Sequence, residues 1–256
     1  MNGNGSKDYW KINFQVYRQK NGDVPYYQMY QLEVHPDEYV LDGIERIWAY
    51  HDRSLTFRHA CHHSVCGACG MRLNGDEKLT CITPIHTVVK PGGILRVDPL
   101  RNFPIISDLV VDMGDFYRDL EAAGQETVQP VSEAASIRPV KVFQKEDAFN
   151  YLRLSDCIEC GLCVSACPIA GSDPDYLGPA VLAAVQQRRI DREPELASLV
   201  DREAGAWRCH SAFECSEVCP SKVEPGWRIM DLRWQLIRRR VRGLFSPQPS
   251  VREVRR

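Results

Sequence analysis

The chain has 256 residues, 44% of them hydrophobic, with 32 Lys and Arg against 34 Asp and Glu for a formal charge of −2. That balance excludes a general nucleic-acid binder, which carries a basic excess, and the apolar content, with a mean hydropathy of −0.34, excludes wholesale disorder. No apolar run approaches the ~20 residues that cross a bilayer, and the polar start from Met1 to Trp10 lacks a secretory core, so a soluble chain made in the cytosol is expected.

Residues 10–18 alternate Ile12, Phe14 and Val16, the period of a half-buried strand. Asn21-Gly22-Asp23 is turn chemistry, and Tyr30, Leu32 and Val34 alternate again, so a hairpin is expected. Leu41, Ile44, Ile47 and Trp48 follow at helical spacing. Then comes a first group of cysteines, Cys61, Cys66, Cys69 and Cys81, spaced C-x4-C-x2-C-x11-C. This is the plant-type [2Fe–2S] spacing. Gly67, Ala68 and Gly70 between the thiols let a loop wrap tightly and aim N–H groups at sulfur. The alternative is a four-cysteine zinc site, which ordinarily offers two C-x2-C pairs where this group has one. Short strands are expected at 71–73, 79–82 and 94–97. Hairpin, helix, cysteine loop and strands in this order fit a β-grasp ferredoxin domain over residues 1–105. Ser107 is placed to cap a helix carrying Val110, Met113, Phe116, Tyr117 and Leu120 and ending near Gly124. Residues 124–139 read as a polar linker, and from Lys145 the texture is helical.

The second cysteine group, Cys157, Cys160, Cys163, Cys167 and then Pro168, is C-x2-C-x2-C-x3-C-P. In this bacterial ferredoxin run the fourth thiolate serves the other cluster of a pair. The third group, Cys209, Cys215, Cys219 and Pro220, is the same run with Ala212 where the second cysteine belongs. Crossed wiring then assigns Cys157, Cys160, Cys163 and Cys219 to a [4Fe–4S] cluster. Cys167, Cys209 and Cys215 are left for a cluster with one corner missing, [3Fe–4S]. The rival is a [4Fe–4S] cluster with water or hydroxide on the open iron, as in a hydro-lyase. All eleven thiols are used, and the odd count in a reducing compartment argues against disulfides. The two prolines end ligand loops. A helical domain over 106–256 would carry both clusters, an α+β chain overall. After Pro225-Gly226, the residues Trp227, Ile229, Met230, Trp234 and Ile237 suggest an amphipathic helix with a core-facing stripe. Residues 233–256 hold eight arginines against one acid, Glu253: a solvated face, a surface for anionic headgroups or one for an acidic partner.

These groups together, with Leu55-Thr-Phe-Arg58, Asp108-Leu-Val-Val-Asp112 and Trp207-Arg-Cys209-His210, resemble the iron–sulfur subunit of succinate dehydrogenase or fumarate reductase, the complex II family. The resemblance implies electron transfer without a catalytic residue in this chain. A partner flavoprotein subunit would carry FAD and interconvert succinate and fumarate. The three clusters would relay single electrons to a quinone held by transmembrane anchor subunits, on the cytoplasmic face of a bacterial inner membrane. The chain has no G-x-G-x-x-G dinucleotide motif of its own. Quinone contacts are implied at Pro168, Ile169 and His210, although a histidine there can equally cap a loop. Many succinate dehydrogenases carry paired tryptophans after this Cys-Pro. Here the run is Pro168-Ile-Ala-Gly-Ser-Asp-Pro174, closer to fumarate-reductase-type subunits, and it favours menaquinone. Quinol:fumarate reduction in the reverse direction, an iron–sulfur subunit of another flavin-dependent dehydrogenase and a colourless zinc scaffold are the other readings.

Overall fold

The computed structural model describes residues 9–20, 22–124, 156–186, 190 and 193–245, with only the backbone of 244 and 245. Asn21, most of the expected linker, the residues from Lys145 to 155 and the last arginines of the tail lie outside the described residues.

Strand β1 (Trp10–Arg18) pairs antiparallel with β2 (Tyr26–Val34), Phe14 opposite Tyr30, and parallel with β5 (Ile94–Asp98), Phe14 opposite Leu95. Strands β3 (Gly70–Leu73) and β4 (Asp76–Leu79) complete a mixed sheet of order β2-β1-β5-β3-β4. The expected alternation decides its face: Ile12, Phe14 and Val16 are fully buried. Helix α1 (Val40–Arg46) packs there, and Gly43 has to lack a side chain because a Cβ would enter the Phe14 ring. This is the ferredoxin-like α+β domain that the pattern implies.

Two local expectations fail. The strand expected at 79–82 stops at Leu79, and Thr80–Ile82 form a tight turn. Both the N–H and the hydroxyl of Thr80 donate to the Cys69 carbonyl, at 3.2 and 3.1 Å, folding the chain back toward the first cysteine loop. Ser107 caps no helix. It ends a short strand β6 (Ile105–Ser107) paired with β7 (Val110–Val111), and helix α2 (Gly114–Ala122) starts seven residues later with Asp112 accepting the Gly114 N–H at 2.8 Å.

The competing force is Asp108, fully buried and left-handed at φ 46. It accepts from Lys20 Nζ (2.5 Å), Arg18 Nε (3.2 Å) and the N–H groups of Gln19 (3.0 Å) and Thr56 (2.9 Å). Burial opposes its ionisation, but Lys20, the two N–H groups and Arg18 outweigh it and hold the carboxyl below the usual range.

The second half is helical: α3 (Leu162–Ala166), α4 (Gly178–Gln186), α5 (Pro194–Val200), α6 (Glu214–Glu217) and α7 (Pro225–Phe245). Helix α4 is buried from Gly178 to Val185, and α7 lies along it through Ile229, Leu232 and Leu236. The stripe expected in the core is therefore corrected. At 100° per residue Trp227 and Trp234 fall opposite the buried positions, and they are 64% and 60% exposed. Among the described residues no helix is long and apolar enough to cross a membrane.

Candidate metal centres

The first cysteine loop lies between α1 and β3. His62, Ser64 and Gly67 are left-handed, at φ 60, 61 and 70. Alternating left-handed residues turn successive N–H groups to one side, a concavity that favours anions. The N–H groups of His63 and Val65 both reach Cys61 Sγ at 3.4 Å. They pull the Cys61 thiol down to about 6, the His63 N–H foremost, with the Cys66 thiol beside it. Burial pushes Cys81 up to about 12, and its neighbours are the Cys69 and Cys61 thiols. The four thiols of this group thus come together.

The second and third groups repeat one backbone. Counting from Cys157, positions +2 and +4 (Glu159, Gly161) are left-handed at φ 52 and 75. Counting from Cys209, the same positions (Ser211, Phe213) have φ 58 and 63. A short helix follows each, α3 and α6. Ala212 therefore occupies in the second copy the place that Cys160 holds in the first.

The thiols mix across the copies. Cys160 has Cys157 and Cys219 beside it, and Cys163 faces Cys160, Cys157, Cys215 and Cys219. Cys167 faces Cys209, and Cys215 faces Cys167 and Cys209. Burial raises Cys160 and Cys215 to about 12 and Cys163 well above its ordinary value. Such thiols stay protonated in an apolar pocket unless cations displace the protons, and the thiolate is the ligand.

Two further observations fit an anionic centre at each place. Cys209 Sγ accepts the Ser211 N–H at 3.4 Å, and Cys219 Sγ accepts the Val223 N–H at 3.3 Å. Tyr176 is 7% exposed, and its hydroxyl lies beside the thiols of Cys209, Cys167 and Cys215, with Cys209 as its hydrogen-bonding neighbour. Sulfur is thus the acceptor this buried hydroxyl meets.

Residues that no cysteine motif marks hold the two runs in place. The Asn102 amide donates to the carbonyls of Val164 (2.8 Å), Ser165 (3.2 Å) and Cys167 (3.0 Å). Ser165 Oγ donates to buried Glu77 (2.9 Å), which also accepts from Arg101 (3.0 Å). The copy at 209 is held instead by Arg233 of α7, which donates to the carbonyls of Ala206 (2.9 Å), Trp207 (3.3 Å) and Cys209. Arg240 pairs with Asp201 at 2.6 Å, so two of the tail's arginines serve the fold. The sequence carries no local signal for these roles, because all are made across long separations.

The first loop touches the second run directly. A Cβ on Gly67 would sit 2.6 Å from the Ile158 carbonyl and 2.9 Å from Cys160 Cα, and one on Gly70 3.1 Å from Leu162. Of the candidate quinone contacts, Pro168 and His210 are exposed and Ile169 is half-buried. Pro168 and Ala212 line one groove of about 820 Å³ with Thr83, Pro84 and Pro220. His210 is not among its walls.

Comparison with known proteins agrees with this geometry. Residues 13–118 match the family model of a 2Fe-2S iron-sulfur cluster binding domain, and residues 153–223 match that of a 4Fe-4S dicluster domain. A fumarate reductase iron-sulfur subunit of Mycobacterium tuberculosis is 36% identical over 90% of this chain and 94% of its own length. A mitochondrial succinate dehydrogenase [ubiquinone] iron-sulfur subunit of Dictyostelium discoideum is 31% identical over 90% of this chain and 84% of its own. A chain of the Mycobacterium smegmatis Sdh1 complex superposes with a TM-score of 0.74 at 24% identity, over 94% of this chain and 99% of that one, and shows the same fold.

Proposed function

The chain belongs to the family of fumarate reductase and succinate dehydrogenase iron–sulfur subunits, and from that premise we propose how it works. It relays single electrons from an FAD-carrying subunit to a membrane quinone during succinate oxidation. Cys61, Cys66, Cys69 and Cys81 hold a [2Fe–2S] cluster; Cys157, Cys160, Cys163 and Cys219 hold a [4Fe–4S] cluster; Cys167, Cys209 and Cys215 hold a [3Fe–4S] cluster. Each cluster supplies a one-electron centre, as a path between a flavin and a lipid-dissolved quinone requires. The observation that carries the proposal is the crosswise neighbourhood of the thiols, Cys219 with the first run and Cys209 and Cys215 with Cys167, beside Ala212.

The protein's own groups do the rest. The paired left-handed residues aim N–H groups at sulfur, and Asn102 and Arg233 fix where each run stands. The third cluster faces the quinone, which approaches Pro168, Ile169 and His210. The exposed stripe of Trp227, Trp234 and Val241 on α7, with exposed Arg238 and Arg242 around it, suits a transmembrane anchor at the cytoplasmic face of a bacterial inner membrane. The sequence after Pro168 favours menaquinone. Finding only ubiquinone in the purified complex, from a host that makes both, overturns that part. The fumarate reductase relatives keep the reverse direction as a second reading, decided by the cluster potentials.

The test is EPR of the purified complex under stepwise reduction. An oxidised-state [3Fe–4S] signal and a reduced [2Fe–2S] signal are expected. Zinc without acid-labile sulfide, or a four-iron signal in place of the three-iron one, overturns the assignment.

A further inference from the structure

Beside the first cysteine loop, but outside it in chemistry, three side chains converge. Glu45 projects from α1, and His59 and His62 flank Cys61. His59 Nδ1 lies 3.1 Å from Glu45 Oε1, His62 Nε2 lies 3.2 Å from the same oxygen, and the two nitrogens are 3.2 Å apart. The three atoms form a nearly equilateral triangle.

Hydrogen bonds alone cannot satisfy that triangle. The carboxylate oxygen only accepts, and each ring nitrogen carries a proton or a lone pair. If both nitrogens donate to Glu45, two N–H groups face each other. If one donates to the other, the second turns its lone pair on the carboxylate. With the carboxylate ionised, one of the three edges is repulsive whichever ring nitrogens carry protons. A cation over the face of the triangle removes the conflict. Ligand bonds of about 2.0–2.1 Å at tetrahedral angles put neighbouring donors about 3.3 Å apart, close to the spacing here.

The arrangement is also held from outside. The His59 ring stacks on Phe57 at 5.2 Å and 20°, and the left-handed backbone at His62 (φ 60) turns its ring edge-on to His59 at 5.2 Å. All three side chains are partly exposed, 31–44%, so a cation can enter and keep a water in a fourth position. Two imidazoles and one carboxylate suit a borderline divalent transition cation, not the hard all-oxygen class.

We propose that Glu45, His59 and His62 form a mononuclear site for a divalent cation of the zinc class, distinct from the cysteine centres, that ties α1 to the loop entering Cys61. The proposal is independent of the electron-relay reading, since none of its ligands is a thiol.

The test is equilibrium dialysis of the purified complex against Zn²⁺, with zinc, iron and acid-labile sulfide counted per chain. Wild type is expected to retain one more zinc than Glu45→Gln or His59→Gln, with iron and sulfide unchanged. Equal zinc in wild type and variants overturns the site, and so does zinc uptake matched by iron loss, which assigns the metal to the thiols. If the variants lose their clusters, wild type alone decides. EPR of substoichiometric Cu²⁺ should show hyperfine coupling to two imidazole nitrogens, and its absence overturns the proposal.

Discussion

The run from Cys157 to Pro168 and its copy from Cys209 to Pro220 share a backbone and differ in a corner. Both place left-handed residues two and four positions after the first cysteine, both start a short helix there, and both end on Cys-Pro. The first has Cys160 and Gly161 where the second has Ala212 and Phe213. A non-glycine residue in the left-handed region costs roughly 1–2 kcal/mol. Phe213 offsets that by packing on Trp227, with ring centres 4.8 Å apart. The second run follows the path of the first with no thiol at the corner and no glycine to ease the turn. The same backbone path is thus compatible with two different donor sets, and on the proposed wiring the metal content depends on one side chain at that corner.

That comparison is easiest to break at Ala212. Ala212→Cys restores the missing thiolate, and the complex should gain one iron per chain and exchange its oxidised three-iron EPR signal for a reduced four-iron one. Retention of the three-iron signal would show that the two runs are not equivalent at this corner.

The supports of the two runs come next. Asn102→Ala removes two amide N–H donors shared among three carbonyls of the first run, about 2 kcal/mol at roughly 1 kcal/mol each. Because those carbonyls end at Cys167, the three-iron cluster should be released on warming ahead of the other two. Arg233→Ala, at about 2 kcal/mol, should loosen the same cluster through Cys209; both are read by EPR after timed heating. Gly161→Ala forces a Cβ into the left-handed region 2.8 Å from the Met113 methyl and should cost about 1–2 kcal/mol. Its thermal midpoint therefore falls by several degrees, whereas Phe213→Ala should act through the lost packing on Trp227 and Gly226.

The smallest effect belongs to Tyr176. Tyr176→Phe removes a donor beside Cys209 without changing shape, so the midpoint potential of the third centre should drop by a few tens of millivolts, the equivalent of about 1 kcal/mol for one electron. Potentiometric EPR titration reads it, and the other two centres should not move.

Much of this was legible beforehand, for identifiable reasons. Period-two alternation marked β1 and β2 because one face of each is buried, and cysteine spacing marked the runs because ligand geometry leaves little freedom. The ferredoxin-like α+β domain order followed from both. What escaped was set by partners distant in sequence. Ser107 looked like a helix cap, yet Asp108 beside it is claimed by Arg18, Lys20 and Thr56. Trp227 and Trp234 looked like core, because apolar spacing shows that a helix has a face but not which face another helix covers. Asn102, Glu77, Tyr176 and Arg233 belong to no motif, and only folding brings them to the cysteine runs.

The contact of Gly67 with the Ile158 carbonyl and Cys160 reaches further than packing. Electron hopping between two centres weakens steeply with separation. Here no solvent layer or spare side chain lies between the tip of one ligand loop and the backbone of the next. A hinge at this seam would open the very gap that the electron has to jump. The two halves are thus bolted together where conduction is most sensitive to distance, and any bulkier residue at position 67 would act as a wedge in the wire.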